Sequence, residues 1–176
     1  QAIQLAEAVF GDTLSKAERK LLEYSVVGKV ADYSEIGAQN NNPSDAKKWS
    51  LGRTLRSEFI TWVCTDETIY PFLTNSGLRV LAAKVIGSLD LQFSSIKIPL
   101  EFKFCAFEQS ILLKHAKIPS LDLSASNIVC TKLSDGSVRA SLEADGVQIA
   151  GDICLGNGFS AEGISICRAN IEGNLD

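Results

Sequence analysis

An apolar residue returns every 10 or 11 positions from Leu78 onward, and few folds accommodate such a beat. Leu78, Leu89, Leu100, Ile111, Leu121, Thr131, Leu142, Ile153, Ile164 and Leu175 stand at intervals of 11, 11, 11, 10, 10, 11, 11, 11 and 11. Two residues after each of the first nine comes Val80, Leu91, Phe102, Leu113, Leu123, Leu133, Ala144, Leu155 or Ile166, all apolar. Five after, the residue is mostly small (Ala83, Ser94, Cys105, Ala116, Ser126, Gly136, Gly158, Ala169). Seven after, an apolar one returns (Val85, Ile96, Phe107, Ile118, Ile128, Val138, Ile149, Ile171). In a chain that is 45% hydrophobic, filling nine of ten first positions and all nine third positions this way by chance happens on the order of once in 10⁵ trials, before any allowance for the choice of register.

Positions one and three of a unit lie on the same side of an extended strand, so both can point inward. A small sixth residue lets the chain turn closely over its neighbour, and the eighth points inward again. A unit this short cannot bury an apolar edge alone, so units must stack and share one core. Two units make one turn of a four-sided coil, and residues 78–176 supply roughly 4.5 turns spaced about 4.8 Å apart. The competing architecture is a two-sheet antiparallel β-sandwich with a helical appendage, whose strands also recur every 8–12 residues or about that. A sandwich requires neither the small residue at a fixed place nor so constant an interval. It also shows more hairpin signals than the one present here, at Ser134, Asp135 and Gly136.

Residues 1–77 read differently. Ile3, Leu5, Ala6 and Phe10 can line one helical face, and Leu14, Ala17, Leu21, Leu22 and Tyr24 or Val26 another. Ser15 with Glu18 forms a capping box, and Gly28 is placed to stop that helix. Asp32 to Asp45, with Gly37, Asn40, Asn41, Asn42 and Pro43, reads as a loop. A third helix is expected from about Leu51 to Cys64, with Leu55, Phe59, Ile60 and Trp62 or Val63 facing inward. Thr65 can cap a short fourth helix ending between Pro71 and Asn75.

The 21 acidic and 17 basic residues, net charge −4, with 13 Gly and 4 Pro scattered without period, describe a globular chain rather than a disordered or collagen-like one. No apolar run approaches the roughly 20 residues of a transmembrane helix, and no signal segment leads the chain. Cys64, Cys105, Cys130, Cys154 and Cys167 match neither a CxxC pair nor a zinc ribbon, which implies reduced thiols in a cytoplasmic protein. The repeat region carries 11 acidic and 9 basic residues, so it lacks the basic stripe of a nucleic-acid binder, and its mild negative charge makes a poor DNA mimic.

Ala169-Asn-Ile-Glu-Gly173 and Ser126-Asn-Ile-Val-Cys130 resemble the A-(N/D)-L-x-x motif of pentapeptide-repeat proteins, although the 11-residue interval adds a residue to every second five. More closely, Val85-Ile-Gly-Ser-Leu-Asp-Leu91, Ile149-Ala-Gly-Asp-Ile-Cys-Leu155 and Ile171-Glu-Gly-Asn-Leu-Asp176 resemble the I-x-G-x-L-D-L repeats of long bacterial β-helical proteins. Leu55-Arg-Ser-Glu-Phe-Ile-Thr-Trp-Val-Cys-Thr-Asp66 is similar to the helix that precedes those repeats. Some members are labelled membrane-associated oxidoreductase. No flavin or nicotinamide fingerprint occurs here, so that activity is not carried over.

The chain has no P-loop, HExxH, GxSxG or GxGxxG. Gly151 to Gly158 mimics a phosphate loop but falls on the strand repeat. His115 with Cys105 is a nominal nucleophilic pair, yet Cys105 occupies a slot where a thiol simply packs. Asp90, Asp122, Asp145, Asp152 and Asp176 could gather in rows and perform acid/base work on a glycoside, as in a carbohydrate-active enzyme. Three of them sit beside turns, where a soluble repeat needs charge anyway. No catalytic, cofactor-binding or metal residue is therefore assigned. The fold class expected is mixed, mainly β: an α-helical N-terminal cap over residues 1–77, then a right-handed parallel β-helix over 78–176, acting as a non-catalytic scaffold or protein-interaction module. Because the repeat begins another unit at Leu175 and no Met is present, the chain reads as part of a longer protein. Its last coil is expected to pair with a second copy, giving a homodimer.

Overall fold

The computed structural model describes residues 1–37 and 41–176. Within the loop expected from Asp32 to Asp45, Ala38, Gln39 and Asn40 lie outside the described residues. Helices α1 (Ala2–Phe10), α2 (Lys16–Val26) and α3 (Ser57–Thr65) occupy the N-terminal part. At the start of α2 the Glu18 amide donates to Ser15 Oγ at 3.1 Å, and Glu18 Oε2 accepts from the Ser15 amide at 2.9 Å, which satisfies two orphan donors at once. The helix ends at Gly28, φ 69°. There the amides of Gly28 and Lys29 return to the carbonyls of Ser25 and Tyr24, an end that needs a left-handed residue.

The third helix begins at Ser57, six residues later than its periodicity predicts. Thr54–Arg56 instead pairs as strand β2 with Lys84–Ile86, and three ladder positions plus burial of Leu55 outweigh local helical preference. The expected fourth helix is also replaced. Asp66 Oδ1 accepts from the Thr68 amide in a tight turn, and only a short 3₁₀ segment, Tyr70–Phe72, follows. Pro71 in that segment has no amide to continue it.

Four parallel sheets make up the rest. The first contains β1 (Ala31–Asp32), β3 (Leu78–Leu81), β6 (Leu100–Lys103), β10 (Leu121–Asp122) and β16 (Ile153–Cys154), the last bridged by Leu175. The second contains β2, β4 (Lys84–Ile86), β7 (Ala106–Phe107), β11 (Asn127–Ile128) and β17 (Ser160–Ala161). The third holds β5 (Leu89–Asp90), β8 (Ile111–Leu112), β14 (Leu142–Glu143) and β18 (Ile164–Ser165), and the fourth β9 (Lys117–Ile118), β15 (Gln148–Ile149) and β19 (Asn170–Ile171). From Leu78 the chain visits the sheets in that order, then starts again beside its own previous passage. Such parallel pairing is not what an antiparallel sandwich produces.

Register partners of the first sheet, Leu78↔Leu100↔Leu121↔Ile153↔Leu175, are separated by 22, 21, 32 and 22 residues. The long third circuit carries a hairpin, β12 (Thr131–Lys132) paired antiparallel with β13 (Val138–Arg139), between the second and third sheets. The unit expected to begin at Thr131 is therefore not a wall of the stack. Its Leu133 and Val138, expected inside, are 36% and 59% exposed, and the turn signal at Ser134 to Gly136 closes the hairpin. Four circuits, not 4.5, span Leu78 to Leu175.

Leu89, Leu91, Leu100, Phe102, Leu113, Leu121 and Leu123 are all buried. They join Ala6, Leu21, Leu22, Phe59 and Ile60 from the helices in one continuous apolar cluster that runs past Gly77 without a break. The turns that link the sheets share one device. The fifth residue of each unit, at Ala82, Phe93, Phe104, His115, Ala125, Gly146, Asn157 and Arg168, has φ between 52° and 65°. Its amide, as at Phe93, His115 and Ala125, donates to the next circuit (Lys114, Asp145 and Gly156 carbonyls), while the small sixth residue donates back to the third, as Ala116 does to Leu113. This is the geometry of a turn that requires a positive φ at its third residue.

Candidate interaction surface

The outer face of the first sheet carries paired charge. There Arg79 Nε meets Glu101 at 3.2 Å, and Lys103 Nζ bridges Glu101 at 3.2 Å and Asp122 at 3.1 Å. Burial pushes the Asp122 carboxyl up, but hydrogen bonds from Ser124 and the Lys103 ammonium outweigh it and hold the group below its ordinary range. Of the five aspartates that could gather for acid/base chemistry, Asp122 and Asp176 share a column of the first sheet, with Cys154 between them. Asp90 lies on the third sheet, where its Oδ1 accepts from the Gln92 amide and side chain. Asp145 accepts from Ser165 Oγ and the Cys167 amide, and Asp152 from the Asn174 amide. Asp122, Asp152 and Asp176 thus gather beside Cys154 at the first sheet, while Asp90 and Asp145 lie elsewhere, and Asp90, Asp122, Asp145 and Asp152 are each held by a backbone amide. Among the described residues no group of three or more His, Cys, Asp or Glu is placed to hold a metal ion.

Cys105 and His115 stand at different corners of the stack. The buried Cys105 thiol, pushed up to about 12 by desolvation, donates to the Lys103 carbonyl at 3.3 Å, so it is a packed thiol rather than a nucleophile. His115 is exposed and stacks on Phe93, centroids 5.4 Å apart, with its ring lying over Gly146. All five thiols are unpaired. Gly151 to Gly158 runs through β16 and the following turn and opens no helix.

A groove of about 510 Å³ follows the corner between the first and second sheets, lined by Ser34, Asn41, Asn42, Pro43, Leu81, Ala82, Phe104, Ala125, Asn157 and Gly158. Among the described residues that line it, none is titratable. The half-exposed Phe104 on its wall carries no sequence signal, since it occupies a turn position whose other members are Ala and Asn.

The two ends of the stack differ. At the first end α2 packs on β1 and β3, and α3 lies across β5, where Thr61 Oγ1 donates to the Asp90 carbonyl at 3.3 Å. At the other end β17, β18 and β19 are the last strands of their sheets and pair on one side only. Between them opens an apolar hollow of about 230 Å³, lined by Leu113, Leu121, Leu142, Ala144, Ile149, Ile153, Leu155, Ile164, Ile166 and Leu175, with Asp176 at its rim. Ile164, Ile166 and Leu175 are 46%, 39% and 51% exposed, whereas Ile111 and Leu142, one and two circuits earlier in the column of Ile164, are 1% and 2%. The repeat pattern placed Ile153, Ile164, Ile166 and Ile171 in this last circuit.

Among the described residues no helix is long and apolar enough to cross a membrane. Compared with family models, with curated proteins and with solved structures, the chain matches none of them.

Proposed function

We propose that the chain is a non-catalytic rigid scaffold and protein-interaction module: a four-sided parallel β-helix, residues 78–176, capped by the helical residues 1–77. The right-handed sense is the one that parallel crossover connections take. The observation that carries this reading is the in-register return of each circuit to the same four sheets, with the core continuous from helices to last coil. A rod stacked this way deforms little, because every turn is held by ladders on four walls. Its first wall carries paired charge, and Asp90, Asp122, Asp145 and Asp152 are each held by a backbone amide. The five unpaired thiols fit a reducing, cytoplasmic setting.

Native-state hydrogen exchange on dilute protein tests the reading. The amides of Leu91, Leu113 and Leu123, each donated to the following circuit, should exchange only through global unfolding. Exchange of all three through independent local openings would show a loose assembly of sheets and overturn the scaffold.

A further inference from the structure

We propose that the groove at the corner between the first and second sheets binds a short neutral oligosaccharide, with the Phe104 ring as its stacking platform. This goes beyond the scaffold reading and gives one corner of the stack a ligand. At about 510 Å³ the groove falls within the roughly 300–1,000 Å³ of small-molecule sites. Ala82, Phe104 and Ala125 hold the same corner in successive circuits, about 4.8 Å apart, so the groove runs along the rod. Ser34, Asn41, Asn42 and Pro43 line it from the segment that precedes β2.

Packing does not account for Phe104. It is 45% exposed and takes φ 52°, a conformation that a side chain disfavours. It has no ring partner among the described residues, whereas Phe93 in the corresponding turn of another corner stacks on His115. Ala82 and Ala125, before and after it in the column, carry only a methyl group, so the column offers nothing to cover the ring. An aromatic face is electron-rich, and the weakly positive C–H face of a sugar ring packs against such a surface.

The polar groups select the same chemistry. The amides of Ala82, Phe104 and Ala125 are all donated within the stack, to the Lys103, Ser124 and Gly156 carbonyls. The Ala82 carbonyl accepts from Arg53 Nε and Nη2 at 3.0 and 2.8 Å, while the Phe104 and Ala125 carbonyls accept no hydrogen bond among the described residues. A peptide strand needs donors and acceptors in alternation, and this wall supplies no main-chain donor. Donors come from side chains instead. Asn42 Oδ1 accepts from the Ser44 amide at 3.0 Å, which leaves its Nδ2 to give, and a hydroxyl such as that of Ser34 both gives and accepts. Asn41 is fastened to the Glu35 amide and carbonyl at 3.0 and 2.9 Å, which orders this segment before a ligand arrives. Since none of the described lining residues is titratable, an ionic ligand would lose hydration without a counter-charge, and a purely apolar one would strand these amides and carbonyls. A ligand with an apolar ring face and a rim of hydroxyls meets both demands.

NMR titration of the whole 176-residue chain with maltotriose, cellotriose, mannotriose and triacetylchitotriose, each to about 20 mM, tests this. At least one should bind with a Kd of about 1 mM or below, moving the amide signals of Ala82, Phe104 and Ala125 and the side-chain amide of Asn42. Phe104→Ala should weaken that binding more than about tenfold, while Phe104→Tyr, which keeps the ring, should change it less than about threefold. Asn42→Asp, which keeps an acceptor for the Ser44 amide and removes the Nδ2 donor, should weaken it roughly tenfold. Binding of none of the four, signals that move away from the groove, or an affinity indifferent to Phe104→Ala overturns the proposal. So does an uncharged proline-rich peptide that moves the same signals while the sugars do not, since the groove would then dock protein. Loss of binding in Phe104→Ala with the Leu91, Leu113 and Leu123 amides still protected supports the site, whereas loss of both overturns the claim that the ring acts on the ligand.

Discussion

Leu113 and Leu133 hold the same third position in their 11-residue units, and truncating each to alanine separates the periodic pattern from the packing. Leu113 is fully buried, while Leu133 sits on the hairpin, 36% exposed. Leu→Ala deletes three carbons, about 2.4 kcal/mol at ~0.8 per buried CH₂. At Leu113 the residual cavity adds to that, and the side chain facing it from the next circuit is only Ala144, which cannot collapse inward to fill the gap. A loss of about 3 kcal/mol follows, inside the usual 2–5 for such sites, with a Tm lower by about 6–12 °C for a chain of this size. Leu133→Ala should cost less than about 0.5 kcal/mol. Urea unfolding followed by circular dichroism measures both, with an unchanged m-value as the control that the denatured state is the same. Equal shifts for the two variants would refute the argument, because they would mean that Thr131–Arg139 is a wall of the stack like any other unit.

Excising Thr131–Ala140 restores between Ile128 and Leu142 the four-residue spacing of Phe107 and Ile111, so the shortened protein should fold with calorimetric stability within about 1 kcal/mol of the parent. Gly146→Ala should destabilise by about 2 kcal/mol, because φ is 65° there and a Cβ would displace the His115 ring from its place against Phe93; the loss of ring-current shifts at His115 in NMR checks it. Burial pushes the Glu18 carboxyl up, but Arg56 Nε at 2.7 Å and the Ser15 amide hold it below its ordinary 4.5. The stability this confers is complete above about that pH and fades as pH falls through the lowered value. Glu18→Gln should therefore cost about 1–3 kcal/mol at pH 7, less than a fully buried pair because Arg56 is partly in water, and should flatten the acid limb of a stability–pH curve. An unchanged acid limb would sink that assignment.

Parallel stacking was legible because its signal is periodic and accumulates over nine units, whereas the helical boundaries rest on single residues. Ser15 and Glu18 announced α2, and Gly28 its end, since both features act through neighbours in sequence. Thr54–Arg56 gave no warning: it becomes a strand only because Lys84–Ile86 lies beside it, a contact 30 residues away that no local propensity encodes. The hairpin escaped for a subtler reason. An insertion of about one repeat length preserves every later interval, so Leu142 follows Leu121 by 21 residues whether Thr131 forms a wall or a finger. Only the polarity of Ser134, Asp135 and Gly136 distinguished the two.

The site was readable only where it shares the repeat. Ile164 and Ile166 are ordinary inward residues of the pattern, half-exposed because β18 is the last strand of its sheet. The turn positions show the converse. A turn with positive φ at its third residue normally advertises itself through Gly or Asn, and here only Gly146 and Asn157 do so. Phe93, Phe104, His115 and Arg168 take the same conformation, each against an intrinsic preference of about 1–2 kcal/mol. Phe93, Phe104 and His115 are held there by the ladders on both sides, since the backbone at each corner follows the circuit below it and donates its amide to the one above, whereas Arg168, in the last circuit, follows only the circuit below. Strain set by stacking leaves the side chain at that position free to vary. Residues at these corners can therefore change without altering the path of the chain between sheets, while the sixth position, pressed under the turn, is mostly small, Val147 being the largest there.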